Sequence, residues 1–397
     1  MKNLRKWITI MVMGLSVSSM AYGANASKAA FAQNLDALQI GSNKVHTSLE
    51  GDLTREEAAV LIVEELGYTS LAKAYAGQNT FKDVTTHKGE INLVKALNLM
   101  SGTSETSFNP KGNLSSESAK TILSRIQAKL NTPLKWQHAC YAISSSSQMD
   151  KIKDYDAISF GWAHLDSDSF KINTTSGDFK VPTGFEKAVD EAQNNGVEAY
   201  LMVYYDNKGN KAGTLLKDSQ KRSALIKEII DLCEGMTKDG QTRSFQGVTI
   251  DFEQFTDVGL KQPYVTFLKE LKVALKAKGK KLNVAVQPTT YFKGYDYKGI
   301  GSAADHVIVM AHDYGAKKLT KSEQEMGITN TPITPINEVY QTLKEATKTI
   351  NKDKIALQIS YASTQWQSKN NKVINSTAYM PNYAQIQSRL NQAGTKV

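Results

Sequence analysis

Seven short β-rich runs alternate with amphipathic helical stretches across residues 131–397, and this pattern predicts an α/β chain whose larger part is a TIM-type (β/α)8 barrel. Two further observations refine the expectation. No apolar, β-branched run follows the seventh, so the barrel is expected to lack its last strand in this chain and to show two open edges. Residues 51–130 have a different texture, helical with a weak internal repeat, and predict a small helical domain ahead of the barrel.

The chain of 397 residues has room for two or three domains. Residues 1–26 read as an export leader: Lys2, Arg5 and Lys6 form a charged start, Trp7 to Val17 is mostly apolar, and Ala24-Asn25-Ala26 offers small residues for cleavage. The apolar run is broken by Gly14 and Ser16 and falls short of the roughly 20 residues that span a membrane. A secreted protein without a membrane span after cleavage is therefore expected. Three of the nine net positive charges sit in the leader, and the remaining Lys and Arg residues are interleaved with acids. That distribution lacks the basic stripe of a nucleic-acid binder. Residues 27–50 are small and polar and are expected to form a linker or a frayed first helix.

In the helical region, Leu53-Thr54-Arg55-Glu56-Glu57-Ala58-Ala59 is echoed 61 positions later by Leu114-Ser115-Ser116-Glu117-Ser118-Ala119-Lys120. Each copy opens with a hydroxyl cap and an acid in the first turn, which favours a helix N-terminus. Ala58, Leu61, Ile62 and Leu66 form one apolar stripe, and Ala119, Ile122, Leu123 and Ile126 form the other. Between them stand Phe81-Lys82-Asp83-Val84, a helical pattern through Ile91, Val94 and Leu97, and Phe108-Asn109-Pro110. These residues resemble the surface-layer homology (SLH) module, whose pattern runs F-x-D-V, a Gly turn (here Gly102), F-x-P and T-R-x-E. The resemblance implies binding to a secondary cell-wall polymer, with Arg55 pairing an acidic pyruvyl group. It also implies a place on a Gram-positive cell wall or surface layer. The second copy carries Ser116 where the motif has Arg.

The barrel runs are Cys140–Ser144, Ala157–Trp162, Glu198–Tyr204, Gly247–Phe252, Leu282–Gln287, His306–Met310 and Ile355–Tyr361, with helical patterns such as Thr183–Asn194, Ser219–Cys233 and Pro263–Lys278 between them. No GxGxxG follows a strand, so a dinucleotide cofactor is not expected. The two cysteines, Cys140 and Cys233, each lie in an apolar stretch and are expected to be buried free thiols. The six histidines show no close pair at ligand spacing, so no metal is expected.

The most informative segment is the fourth run, Val248-Thr249-Ile250-Asp251-Phe252-Glu253. Alternate residues of a strand share a face, so Thr249, Asp251 and Glu253 point one way and Val248, Ile250 and Phe252 the other. In a barrel the first set faces inward, with Glu253 at the C-terminal mouth where barrel enzymes keep their chemistry. Same-face neighbours lie about 6.6 Å apart, close enough for one carboxyl to hold a proton and act as an acid. Aromatic residues near the expected mouth, Trp162, Tyr204, Tyr205, Tyr291 and Trp366, are candidates for stacking on sugar rings.

At this segment the sequence resembles glycoside hydrolase family 18, whose strand-four signature is D-x-x-D-x-D-x-E. Asp251 and Glu253 match the last two acids, while Gln246 and Thr249 replace the first two. Ile158-Ser159-Phe160-Gly161-Trp162 and the following Leu165-Asp166-Ser167-Asp168 are similar to the spore-cortex and peptidoglycan-directed branch. Met310-Ala311-His312-Asp313 corresponds to the family's M-x-Y-D, with His312 in the Tyr position. The resemblance implies a glycosidase acting on N-acetylated glycan, peptidoglycan or chitin-like, by a retaining, substrate-assisted mechanism. Glu253 would be the acid and base, and Asp251 would orient the acetamide. Thr249, Trp162, Tyr204, Gln287, His312, Asp313 and Tyr361 are the candidate substrate contacts. The alternative reading is a non-catalytic, lectin-like glycan binder on the same scaffold, favoured by the two replaced acids.

Overall fold

The computed structural model describes residues 24–38 and 49–390; residues 1–23, most of the expected leader, lie outside the described residues. The chain divides into two compact units between Pro133 and Leu134. Among the described residues no helix is long and apolar enough to cross a membrane.

In the first unit, both copies of the echoed segment begin helices. Thr54 caps α2 (Arg55–Glu65) in a capping box with Glu57, and Ser115 caps α5 (Ser116–Leu130) by accepting from Ser118 N at 3.2 Å. Between them lie α3 (Thr69–Tyr75) and α4 (Lys88–Ala96). Ala58, Ile62, Ile91, Val94, Phe108 and Ile126 fill the core. The Asp83 carboxylate clamps the Phe108 turn, accepting Phe108 N–H at 2.9 Å and Asn109 N–H at 2.7 Å. Burial works against that charge, but the Ser107, Phe108 and Asn109 bonds outweigh it and hold Asp83 down at about 2. The stretch expected as a linker or frayed helix contains an ordered helix, α1 (Lys28–Asp36), with Phe31, Ala32 and Leu35 buried. Only two large apolar residues carry its packing face, too few to stand out as a periodic pattern.

The second unit is built on seven parallel strands: β1 (His138–Tyr141), β2 (Ala157–Leu165), β3 (Glu198–Asp206), β4 (Gly247–Glu253), β5 (Lys281–Val286), β6 (His306–Met310) and β7 (Ile355–Gln358). Each pairs with the next in chain order, as right-handed βα units require. Helices α6 (Phe185–Asn194), α7 (Ser219–Glu234) and α8 (Lys261–Ala277) cover the outside. Val203, Val248, Ile250, Phe252, Leu268, Leu271 and Val284 form the layer between sheet and helices, which explains why these strands read as almost unbroken apolar runs. At the base of β4, Gly247 passes so close to β5 that a Cβ there would meet the Lys281 carbonyl oxygen at 2.3 Å.

The expected gap is present: among the described residues no ladder joins β1 to β7. Two expectations change as a result. Cys140, on β1 with a neighbour on one side only, is exposed, whereas Cys233 is buried as expected. The seventh run stops pairing at Gln358, short of Tyr361, and Leu357 beside the gap is 43% exposed.

Candidate active site

The inward face of β4 is fixed by its hydrogen bonds and register. Thr249 Oγ1 lies 2.6 Å from Ser159 Oγ on β2, which is 2.7 Å from His138 Nε2 on β1. Thr249 stands opposite Asn283 of β5, and Asp251 opposite Tyr204 of β3. Thr249, in the place of a motif acid, is therefore tied into a chain that runs through the Ser159 hydroxyl to the His138 imidazole. Asp251 is 8% exposed, and its Oδ1 has no hydrogen-bond partner. Burial, followed by the Glu253 charge, pushes Asp251 up to about 8.

Glu253 is half-buried at the strand's C-terminal end. Burial raises its proton affinity first, then the charges of Asp206 and Asp313, with Lys208 opposing. Asp206, opposite Glu253 in the register and 2.6 Å from Lys208 Nζ, was not among the expected site residues. The signal was available, since Asp206 follows Tyr204 by two positions on the same strand face.

Gln287 holds Glu253 from the other side. Its Oε1 accepts Gln254 N–H at 2.7 Å and the Tyr295 hydroxyl at 3.3 Å, so its Nε2 is directed to Glu253 Oε2 at 3.4 Å. The single Tyr295 hydroxyl proton is shared in a forked bond whose shorter branch goes to the Phe252 carbonyl at 2.7 Å, and Tyr297 donates to the Gln287 carbonyl at 2.9 Å. Tyr295 is thus a buried support for the C-terminal end of β4, and no motif in the sequence pointed to it.

His312 Nδ1 is 3.1 Å from Asp313 Oδ2, and its Nε2 is buried without a partner. Asp313 adopts a left-handed backbone (φ 63°), a conformation aspartate tolerates, and binds Lys317 at 2.8 Å. Burial acts upward on Asp313, but the bonds to Lys317 and His312 prevail and hold it below the usual carboxylate range. Tyr204 is half-buried and stacks on Phe179 at 4.5 Å. Burial and then the charges of Glu253, Asp206 and Asp251 raise its hydroxyl well above the ordinary tyrosine value, which places it among the acids.

Two expected contacts are not at the site. Trp162 is fully buried on the helix side of β2, packed against Phe160 at 4.5 Å and edge-on to Phe185 at 5.8 Å. Its parity explains this: Ser159 faces the barrel interior, so residues 160 and 162 face the helices. Tyr361 lies beyond the last paired residue of β7 and is 91% exposed. Among the described residues, no group of three His, Cys, Asp or Glu side chains could hold a metal ion.

The family model of glycosyl hydrolases family 18 matches residues 137–397, and that of the S-layer homology domain matches residues 80–115. YdhD of Bacillus subtilis (strain 168), a proposed sporulation-specific glycosylase, is 29% identical over 157 residues, covering 38% of this chain and 33% of YdhD. The cortical fragment-lytic enzyme of Bacillus anthracis is 27% identical over 179 residues, covering 42% of this chain and 38% of that enzyme. The chain thus spans well under half the length of either relative. Among solved structures, catalytic domain 2 of a Group II chitinase from Ostrinia furnacalis, a variant in complex with a chitooligosaccharide, superposes with a TM-score of 0.51 at 16% identity, covering 66% of this chain and 76% of that one. A chitinase-like agglutinin from Robinia pseudoacacia gives 0.50 at 16% identity, covering 64% and 80%. At these identities the two structures establish a shared fold.

Proposed function

The chain belongs to glycosyl hydrolases family 18, and from that premise we propose that it is a secreted, wall-associated glycosidase cleaving N-acetylglucosamine-containing glycan by a retaining, substrate-assisted mechanism. The observation that carries this reading is the pair Asp251 and Glu253 on one inward strand face, with proton affinities raised by burial at a barrel mouth. Protonated Glu253 gives its proton to the glycosidic oxygen as the C1–O bond breaks. The substrate's acetamide oxygen closes onto C1 in place of an enzyme nucleophile. Asp251 accepts from the acetamide N–H through a carboxyl oxygen and, in its ionised form, stabilises the positive charge that develops. Glu253, now ionised, takes a proton from the water that opens the ring. Asp206 and Asp313 favour the protonated form of Glu253 before the first step. His312, its Nδ1 held by Asp313, presents Nε2 as the polar contact that a tyrosine hydroxyl provides in the family motif. Tyr204, Gln287 and Asp313 complete the substrate-facing set. The reaction needs no cofactor.

Mass spectrometry of products from muramyl glycan and from chitin oligomers tests the proposal. New reducing-end N-acetyl sugars support it, while tight binding without any product turns the reading to the lectin-like alternative. The same set of assays reads Tyr295→Phe. Removing that hydroxyl leaves the buried Phe252 carbonyl unpaired and frees one of the two anchors on Gln287 Oε1. The expected outcome is a loss of about 1–2 kcal/mol in stability, measured by denaturant titration. Turnover at 25 °C should fall roughly tenfold with little change in KM, because the effect reaches the substrate only through Glu253.

We further infer that the first unit retains the protein on an acidic wall polymer through Arg55. Its Nε donates to the Phe108 carbonyl at 2.8 Å, its Nη2 to the Ser101 carbonyl at 2.5 Å, and its guanidinium carbon lies 4.6 Å over the Phe108 ring. These neutral acceptors and the ring orient the group, the Asp83 carboxylate supports its positive charge, and its remaining N–H donors are left for an anion. Arg55→Gln is expected to weaken co-sedimentation with purified wall polymer by about tenfold, the cost of one charge-assisted contact. Retention at the wild-type level would remove Arg55 from the role.

A further inference from the structure

The three residues that read as the end of a leader are built into the first unit. The Ala24 carbonyl accepts Ser116 N–H at 2.9 Å. Asn25 bridges Ser115 in antiparallel fashion, its carbonyl accepts the Ser116 hydroxyl at 3.2 Å, and its side chain donates to Asp52 at 2.5 Å. Ala26 donates its N–H to the Leu114 carbonyl and accepts Leu53 N–H, both at 2.8 Å, and it is fully buried. Ser27 then bridges Asp52 and caps α1. Residues 24–27 are therefore a short central strand held by single bridges to residues 51–53 on one side and 114–116 on the other, beside a direct contact in which Leu114 N–H donates to the Leu53 carbonyl at 2.7 Å.

Proteases that remove export leaders require small side chains at the first and third positions before the cut. Two registers of this sequence meet that requirement. Ala24 and Ala26 would direct the cut to the bond before Ser27; Ala21 and Gly23 would direct it to the bond before Ala24. The first cut removes the central strand. It leaves the Leu53 N–H and the Leu114 carbonyl, both on buried residues, without their partners. The second cut keeps every one of these bonds and places the new ammonium on Ala24, which is exposed. We propose that the processing site of this chain is the Gly23–Ala24 bond, cut by a leader peptidase that selects small residues, and that the mature N-terminus serves as the closing strand of the first unit. The proposal rests on the geometry of that unit and on the export proposed above; it does not depend on the glycosidase chemistry, and a retained leader would count against export while leaving that chemistry to its own assay.

The test is to export the full chain from a bacterial host and determine the intact mass and N-terminal sequence of the released protein. A start at Ala24-Asn25-Ala26 is expected; a start at Ser27, any other first residue, or a retained leader overturns the proposal. A second measurement compares two recombinant chains that both run to Val397, one beginning at Ala24 and one at Ser27, by amide hydrogen exchange. The Leu53 and Ser116 amides are expected to exchange at least about tenfold faster in the shorter chain, since both lose their acceptors. Equal protection in the two chains would show that the strand does not hold the unit together and would remove the reason for preferring the earlier cut.

Discussion

Glu253→Gln is expected to lower turnover of N-acetylated glycan by about 10³-fold or more while leaving the protein folded and able to bind. General acid–base catalysis supplies roughly 10²–10⁴ in rate, and in the proposed cycle this one side chain acts in both halves. Glutamine is nearly isosteric, and its carbonyl oxygen can accept from Gln287 Nε2 as Glu253 Oε2 does now. It also removes a charge that burial, Asp206 and Asp313 all disfavour, so no loss of stability is expected from electrostatics. The measurements are single-turnover product formation, glycan affinity and thermal midpoint on the same preparation. Retained affinity with lost turnover identifies Glu253 as the proton donor. Turnover at the wild-type rate would place the chemistry elsewhere.

The arrangement at β4 was legible because strand parity is a local property: once Thr249 faces inward, Asp251 and Glu253 must follow. The same rule, carried to β2, puts Trp162 among Phe160, Phe185 and the covering helices and away from the cleft. Trp162 stands at the end of its run, so chain position alone points it to the mouth, whereas the parity set by Ser159 turns it to the helices. Asp206 was missed for a related reason. Its run was expected to end at Tyr204, yet β3 continues two residues further and delivers a carboxylate beside Glu253. Tyr295 could not have been found in this way. It reaches Phe252 and Gln287 from a loop 43 residues after Phe252, and nothing in local periodicity encodes that contact. The α1 helix shows the opposite limit, since a weakly amphipathic stretch becomes ordered when its few apolar residues find a tertiary partner.

Asp251→Asn is expected to stabilise the barrel unit at alkaline pH while abolishing its chemistry. The folded state holds Asp251 at about 8, against an ordinary value near 3.9. Between those two pH values the folded chain keeps a proton that the unfolded chain has released. Stability from this group is therefore complete below about pH 4, declines as pH rises, and levels off once the folded carboxyl ionises near pH 8. Asparagine does not titrate, so the variant escapes the decline. At pH 8 the difference is about 2–5 kcal/mol, or roughly 5–15 °C in thermal midpoint for a unit of this size, and it shrinks as the pH approaches 4. Some of the gain is offset at every pH, because the new amide N–H group must find an acceptor where Asp251 Oδ1 now has no partner. That offset is the same at all pH values, so the slope of the midpoint against pH, compared between the two proteins, isolates the buried charge. Parallel slopes would mean that Asp251 ionises freely in the folded protein. The acetamide-orienting role would then lose its basis, since a carboxylate already satisfied by solvent would gain little from a substrate N–H or from a developing positive charge.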